Sequence, residues 1–130
     1  MRAYTPDTIR PPFARYSHAV EVPPGHRLLA LSGQLGIAPD AQVPEEAGAQ
    51  ADLCFANTDA ILAEAGLNRT AIVRVNAYVS DRAWLAEYMA ARDRYLGEVD
   101  PPPASTLMIV SGFAREIFKV EVEVLAAAPG

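Results

Sequence analysis

Few residues in this chain are of a type and spacing that could do chemistry. Glu121 and Glu123 alternate along a Val-Glu-Val-Glu run, so both carboxylates lie on one side of an extended strand. A carboxylate so placed can orient water as a general base. It can equally sit on a solvated strand face or pair with Lys119, and the residues alone favour that plainer reading. Cys54 falls in the middle of an apolar helical stripe, where a cysteine behaves as a small hydrophobe rather than an activated nucleophile. The two histidines, His18 and His26, stand far from any second ligand at metal-binding spacing, so each is read as structural or superficial. Gly33-Gln34-Leu35-Gly36 is too short and wrongly spaced for a phosphate-binding loop. Trp84, Tyr88 and Tyr95 recur at helical spacing, which is the pattern of a core rather than of a stacking platform.

These residues need elements to hold them, and the pattern supplies a compact set. Pro6, Pro11 and Pro12 keep the start of the chain extended as an arm. Arg15–Val22 alternates like a strand, Pro23-Pro24-Gly25 has turn chemistry, and Leu28–Ser32 reads as a mostly buried strand. The two strands are expected to form a hairpin. A helix is predicted from about Pro44-Glu45-Glu46 to a glycine cap at Gly66. Its stripe is Ala47, Ala51, Cys54, Phe55, Thr58, Ile61, Leu62 and Ala65. Ile72–Val79 is the clearest strand. Ser80 and Asp81 then cap a second helix carrying Trp84, Leu85, Tyr88, Met89, Tyr95 and Leu96, which ends at Gly97. Thr106–Ser111 reads as a strand buried on both sides, and Phe118–Leu125 as an alternating one.

Two helices and at least five strands predict an α+β two-layer sandwich, with both helices on one face of a mixed sheet. Tyr16, Val75 and Met108 suggest that the other face is not wholly polar, which argues for association between copies.

Composition bounds the function. With 130 residues, 51% hydrophobic and 21% charged, the chain is expected to be one ordinary globular domain spanning residues 1–130. One cysteine excludes an internal disulfide and any multi-cysteine metal cluster, and neither a metal nor a cofactor is expected. A net charge of −5, with arginines scattered rather than clustered, argues against nucleic-acid binding. Met1–Pro12 has no apolar signal-type stretch and no run is long enough to span a bilayer. A cytoplasmic location without membrane partners is the expectation.

Several short motifs, taken in order, resemble the RidA/YjgF (RutC) family. They are Tyr16-Ser17-His18-Ala19-Val20, Leu31-Ser32-Gly33-Gln34, Gln50 and Asn57 with Ala65-Gly66-Leu67, and Val73, Val75, Tyr78, Val79 and Asp81. Pro103-Ala104 and Val120-Glu121-Val122-Glu123 complete the set, so the match runs from about Tyr16 to Ala126. The resemblance implies a chorismate-mutase-like fold assembled as a homotrimer, with small-molecule clefts between neighbouring subunits. It also implies cofactor-free hydrolysis of reactive enamines and imines, such as 2-aminoacrylate, to keto acids and ammonia. By the same resemblance Glu121 helps to position water. Tyr16, counted with Glu121 as catalytic, lines the cleft together with Ser32, Gly33 and Gln34.

One departure stands out. The family's carboxylate-gripping arginine directly follows the Pro-Ala pair, and here Ser105-Thr106 occupies that place, with Met89 where the family often has Asn. Removing one partner of a desolvated charged pair costs about 2–5 kcal/mol. A neutral serine contact returns about 0.5–1.5 kcal/mol. Uncompensated, affinity for small keto- or imino-acids should fall by roughly a hundredfold or more. Arg15 and Arg115 are the candidate substitutes, but Arg15 should point away from its strand neighbour Tyr16.

The readings that follow are a deaminase-type hydrolase with altered substrate range, or a trimer that binds a small metabolite at Ser32, Gly33, Gln34, Met89, Ser105 and Thr106 without turnover. A third, endoribonuclease or translation-inhibitor activity, is opposed by the acidic charge.

Overall fold

The computed structural model describes residues 1–130. Seven strands and two helices follow one another as β1 (Arg2–Tyr4), β2 (Ala19–Glu21), β3 (His26–Ala30), β4 (Gln34–Leu35), α1 (Ala47–Glu64), β5 (Ile72–Val79), α2 (Leu85–Leu96), β6 (Ala104–Ile109) and β7 (Val120–Pro129). The main sheet runs β3-β7-β5-β6, with β4 also paired to β7. β5 and β6 are parallel, and β7 is antiparallel to every strand it meets. Two helices on a mixed sheet is the predicted architecture.

Strand β5 forms because Val73, Val75 and Val79 favour extended backbone and every second residue can be buried. Val75, Ala77 and Val79 lie under the helices with Val120, Val122 and Val124 from β7. Residues Ala47, Ala51, Cys54, Phe55, Thr58 and Leu62 of α1 close over them as the stripe predicts. Phe55 stacks on Tyr95 of α2 with ring centroids 4.4 Å apart. Helix α1 ends where Gly66 takes φ +75°. The amides of Gly66 and Leu67 then bond back to Ala63 and Leu62, so the last carbonyls are satisfied. Asp81 caps the turn leading into α2 by accepting from the Ala83 amide.

Several expectations are corrected. Arg15–Val22 and Leu28–Ser32 do not form a hairpin. β2 pairs instead with β1, from the supposed arm, and β3 pairs with β7. The predicted turn does form, with the Pro23 carbonyl accepting from the His26 amide and Gly25 at φ +82°, but the strands it joins find other partners, β2 a three-residue ladder with β1 and β3 a five-residue ladder with β7. Neither β3 nor β6 is buried on both sides. Both are edge strands, with Leu28 62% and Met108 47% exposed. Val75 lies on the helix side, not the open side. Strand β7 runs on through Ala126-Ala127-Ala128-Pro129, poor strand formers that are recruited by pairing with β3.

Candidate functional site

The open face of the sheet is polar in its middle rows. Thr106, Asn76 and Glu123 lie side by side, and Met108, Tyr78 and Glu121 form the next row. Arg74 donates to Thr106 Oγ1 at 2.6 Å and to Asn76 Oδ1 at 2.8 Å. Asn76 Nδ2 reaches Glu123 at 3.3 Å, and Tyr78 Oη donates to the same Glu123 oxygen at 2.5 Å. The Glu123 hydrogen bond raises the Tyr78 phenol pKa, with burial as the next cause. Glu123 is therefore tied into a closed network.

Glu121 is different. No side chain donates to it or pairs with it, and Lys119 is not its partner. That ammonium instead donates to the Glu45 carbonyl and lies over the Trp84 ring. The half-buried Glu121 carboxylate rests against Gly33, so closely that a Cβ at position 33 would collide with Oε2. Glycine lets the carboxylate approach, since a side chain at position 33 would push it aside, and no special backbone torsion is involved. The pairing of Gln34 with Val122 and of Leu35 with Glu121 sets this contact.

Two residues of α1 hold β4 and its flanks in place. The Gln50 side chain, fully buried, donates to the Pro44 and Ile117 carbonyls and accepts from the Lys119 amide. Asn57 donates to the Leu35 and Ile37 carbonyls. Gly36 packs directly on Gln50. Gln50 and Asn57 act as clamps, a role that hydrophobic periodicity does not signal.

A second group gathers at the β6 edge. Ser17 pairs with Ala104 in a parallel bridge and its hydroxyl donates to the Pro102 carbonyl, which sets Tyr16 beside the start of β6. Tyr16 and His18, predicted to lie in a strand over Arg15–Val22, fall outside the strand that forms, Ala19–Glu21. Their rings meet edge to face at 5.9 Å, Tyr16 Oη accepts from the Phe13 amide, and His18 Nε2 bonds to the Arg10 carbonyl. Ser105 shares a ladder position with Val75 and faces the helices, whereas Thr106 faces the open side and accepts from Arg74. The two cannot line one side of the sheet. Met89 packs half-buried against the core. Arg15 donates to the Val99 carbonyl at 2.6 Å, bracing the segment that holds the cis Asp100–Pro101 bond, and is committed there.

Within one chain the predicted residues thus fall into two groups. Glu121 lies level with Met108, three residues along β6 from Ser105 and on the far side of β5. Two ladder spacings of about 4.8 Å, three residues of about 3.3 Å each and opposite faces separate the two side chains.

Cys54 lies buried against the Val120 carbonyl, and burial pushes its thiol up to about 12. It is a core residue, as read. No group of three or more His, Cys, Asp or Glu side chains is placed to hold a metal. No helix is long and apolar enough to cross a membrane.

This arrangement has relatives. The family model described as Endoribonuclease L-PSP matches residues 8–128. A RutC family protein of Aquifex aeolicus is 36% identical over 116 residues, 88% of this chain and 90% of its own length. The chain belongs to the RidA/YjgF family. Protein DfrA of Myxococcus xanthus is 32% identical, over 87% of this chain and 85% of its own. Among solved structures, the Rid family protein YyfB of Yersinia pestis superposes with a TM-score of 0.86 at 28% identity, covering 98% of both chains. RidA of an Antarctic Psychrobacter gives 0.72 at 27% identity, over 98% of this chain and 100% of its own. The family resemblance read from the short motifs is thereby established, and with it the RidA/YjgF fold.

Proposed function

We propose that this RidA/YjgF protein binds a small imine or enamine in clefts between the subunits of a homotrimer, and hydrolyses it to a carbonyl compound and ammonia. The observation that carries this reading is the contrast between the two glutamates of β7. Glu123 is consumed by Tyr78 and Asn76, while Glu121 is left unengaged against Gly33. In the reaction Glu121 accepts a proton from water as the water oxygen bonds to the C=N carbon. The resulting carbinolamine expels ammonia once its nitrogen is protonated, and the carbonyl forms. The Ser32-Gly33-Gln34 segment lines the cleft beside Glu121, with Tyr16, Ser105 and Met89 on its other wall.

Two features support a site made of two chains. Ser105 and Glu121 are too far apart, and face opposite ways, to meet within one. The apolar residues left exposed on the edge strands, Leu28 on β3 and Met108 on β6, are of the kind that association covers. The site is expected to work without metal or cofactor in the cytoplasm, and the whole chain to act as a single domain.

The test is ammonia release from imines generated in situ, with and without a carboxylate, for the wild type and Glu121→Gln. Turnover by the wild type and a loss of 100-fold or more in Glu121→Gln, in line with removal of a general base, is the expected result. Saturable binding without ammonia would instead identify a non-catalytic metabolite-binding trimer.

A further inference from the structure

The two glutamates of β7 lean opposite ways. Both lie on the open face, two residues apart, and β7 has β5 on one side and β4 on the other. The Glu121 carboxylate lies towards β4, against Gly33. The Glu123 carboxylate lies towards β5, where Asn76 Nδ2 and Tyr78 Oη donate to it. The register makes the tyrosine contact unexpected. Tyr78 is paired across the ladder with Glu121, and it is Asn76 that is paired with Glu123. Side chains directly opposite have Cβ atoms about 4.5–5.5 Å apart, whereas diagonal neighbours stand about 7–8 Å apart. The phenol therefore passes over the carboxylate that faces it and bonds the diagonal one, at 2.5 Å. The Glu121 charge still reaches the phenol, as one of the causes that raise its pKa.

The other donors around Glu121 are committed as well. Lys119, two residues earlier on β7, donates to the Glu45 carbonyl. Arg74 is bound to Thr106 and Asn76. Gln34, from the segment that lies against Glu121, donates to the Ser32 carbonyl. A donor that did reach Glu121 would form a charge-assisted hydrogen bond with it. Such a bond favours the charged carboxylate, and it must break before the carboxylate can take a proton from water, so the base is weakened twice over. Tyr78 is the donor that threatens this most directly. The ladder already sets it opposite Glu121, so a turn of the side chain would suffice, with no change of strand register.

We propose that Glu123 is a positioning residue for the general base: it holds the Tyr78 hydroxyl, so that the Glu121 carboxylate stays unpaired and free to take a proton from water. Glu123 touches no substrate and acts only through Tyr78. Asn76 supports it by donating to the same Glu123 oxygen, and the Asn76 amide is in turn oriented by Arg74, which donates to its Oδ1. The open-face network then does more than join two strands. It withholds donors from one carboxylate. The inference rests on the reading of Glu121 as the base and adds the feature that keeps it one.

The experiment measures ammonia release from the imines of pyruvate and of acetone, generated in situ, by the wild type, Glu123→Leu, Glu123→Gln and Tyr78→Phe/Glu123→Leu. Thermal melts and light scattering verify that each variant folds and assembles as the wild type does. Glu123→Leu leaves the phenol no acceptor but Glu121, and kcat should fall about tenfold or more with KM little changed. Glu123→Gln keeps an acceptor for the phenol and should retain most of kcat. The double variant should recover, because the phenol is gone. A merely structural role for Glu123 would leave the double variant at least as impaired as Glu123→Leu. Unchanged kcat in Glu123→Leu overturns the inference, and so does a folded double variant that does not recover. A second readout needs no turnover: NMR of isotope-labelled tyrosine Cζ, with the Tyr78 signal assigned by its loss in Tyr78→Phe. In Glu123→Leu the Tyr78 titration should stay raised, and it should return towards 10.0 only when Glu121→Gln is added. A return in Glu123→Leu alone overturns the inference. No ammonia from the wild type faults the reading of Glu121 as the base, and the phenol titration then decides whether Glu123 holds the hydroxyl off Glu121.

Discussion

The two faces of one sheet are built on different principles. Under the helices, Val75, Val79, Val120 and Val122 are fully buried among aromatic and aliphatic neighbours, and the one charged residue in that layer is Arg92. On the open face the same two strands present Arg74, Asn76, Tyr78, Glu121 and Glu123, joined by hydrogen bonds except at Glu121. Alternation along β5 and β7 sends one set of residues to each side, so stability and chemistry are separated at single-residue resolution. Each face has one polar group that departs from its surroundings. Glu121 is unengaged in a network of engaged groups, and Arg92 is charged in an apolar layer. Function is assigned to Glu121.

The largest effect that sharpens this contrast is expected from Val122→Asp. A carboxylate forced into the helix-side core has no partner, and a loss of more than about 4 kcal/mol should leave little folded protein in a denaturant titration. Next comes Gln50→Leu, which keeps the volume but strands two carbonyls and the Lys119 amide. A loss of about 3 kcal/mol in the same titration is expected, and the β4 segment carrying Gly33 should exchange its amide hydrogens faster. Gly33→Ala should displace the Glu121 carboxylate. Its signature is a drop in kcat of tenfold or more with a change of only about 1 kcal/mol in stability, so activity and melting temperature should part company.

The smallest stability effect belongs to the open face. Glu123→Gln should cost less than about 1 kcal/mol. It should move the Tyr78 phenol titration, followed by ultraviolet absorbance, back towards 10.0, the ordinary tyrosine value. The sign is fixed by the raised pKa. The Tyr78–Glu123 bond contributes stability in full below pH 10 and loses it as the pH rises through the folded-state value, so the variant should show a weaker loss of stability in alkali. The Cys54 thiol, pushed up to about 12 by burial, should resist thiol reagents at pH 8 in the native protein and react fully once it is unfolded.

What was legible in the sequence follows from locality. Strand β5 and helix α1 announce themselves by periods of two and of three to four, and Gly66 by its turn chemistry. Asp81 is a local cap. Non-local partners were not legible. Nothing in Arg15–Val22 or Leu28–Ser32 indicates that β2 would pair with β1 and β3 with β7, because strand pairing is chosen by the ladders available across the whole chain. Ala126–Pro129 reads poorly as strand until β3 provides one. Glu121 stood out as a carboxylate on an alternating strand and took its role from the family resemblance, whereas its contact with Gly33 depends on the non-local pairing of β4 with β7. The burial of Arg92 was not legible because apolar patterning discounts an arginine. Its spacing of four from both Tyr88 and Leu96 was the available signal.

The account turns on a site assembled from two chains, with Glu121 from one and the β6 edge from the other. The most direct test mixes two inactive variants, Glu121→Gln and the cleft-filling Ser105→Trp, after each has been shown to fold, then unfolds and refolds them together and measures ammonia release. If neighbouring chains supply the two walls, the mixed assemblies will contain some clefts with an intact Glu121 facing an intact Ser105, and activity will return to a fraction of the wild type. If mixing restores nothing although the chains co-assemble, the two residues do not meet across a subunit boundary and the proposed cleft is wrong.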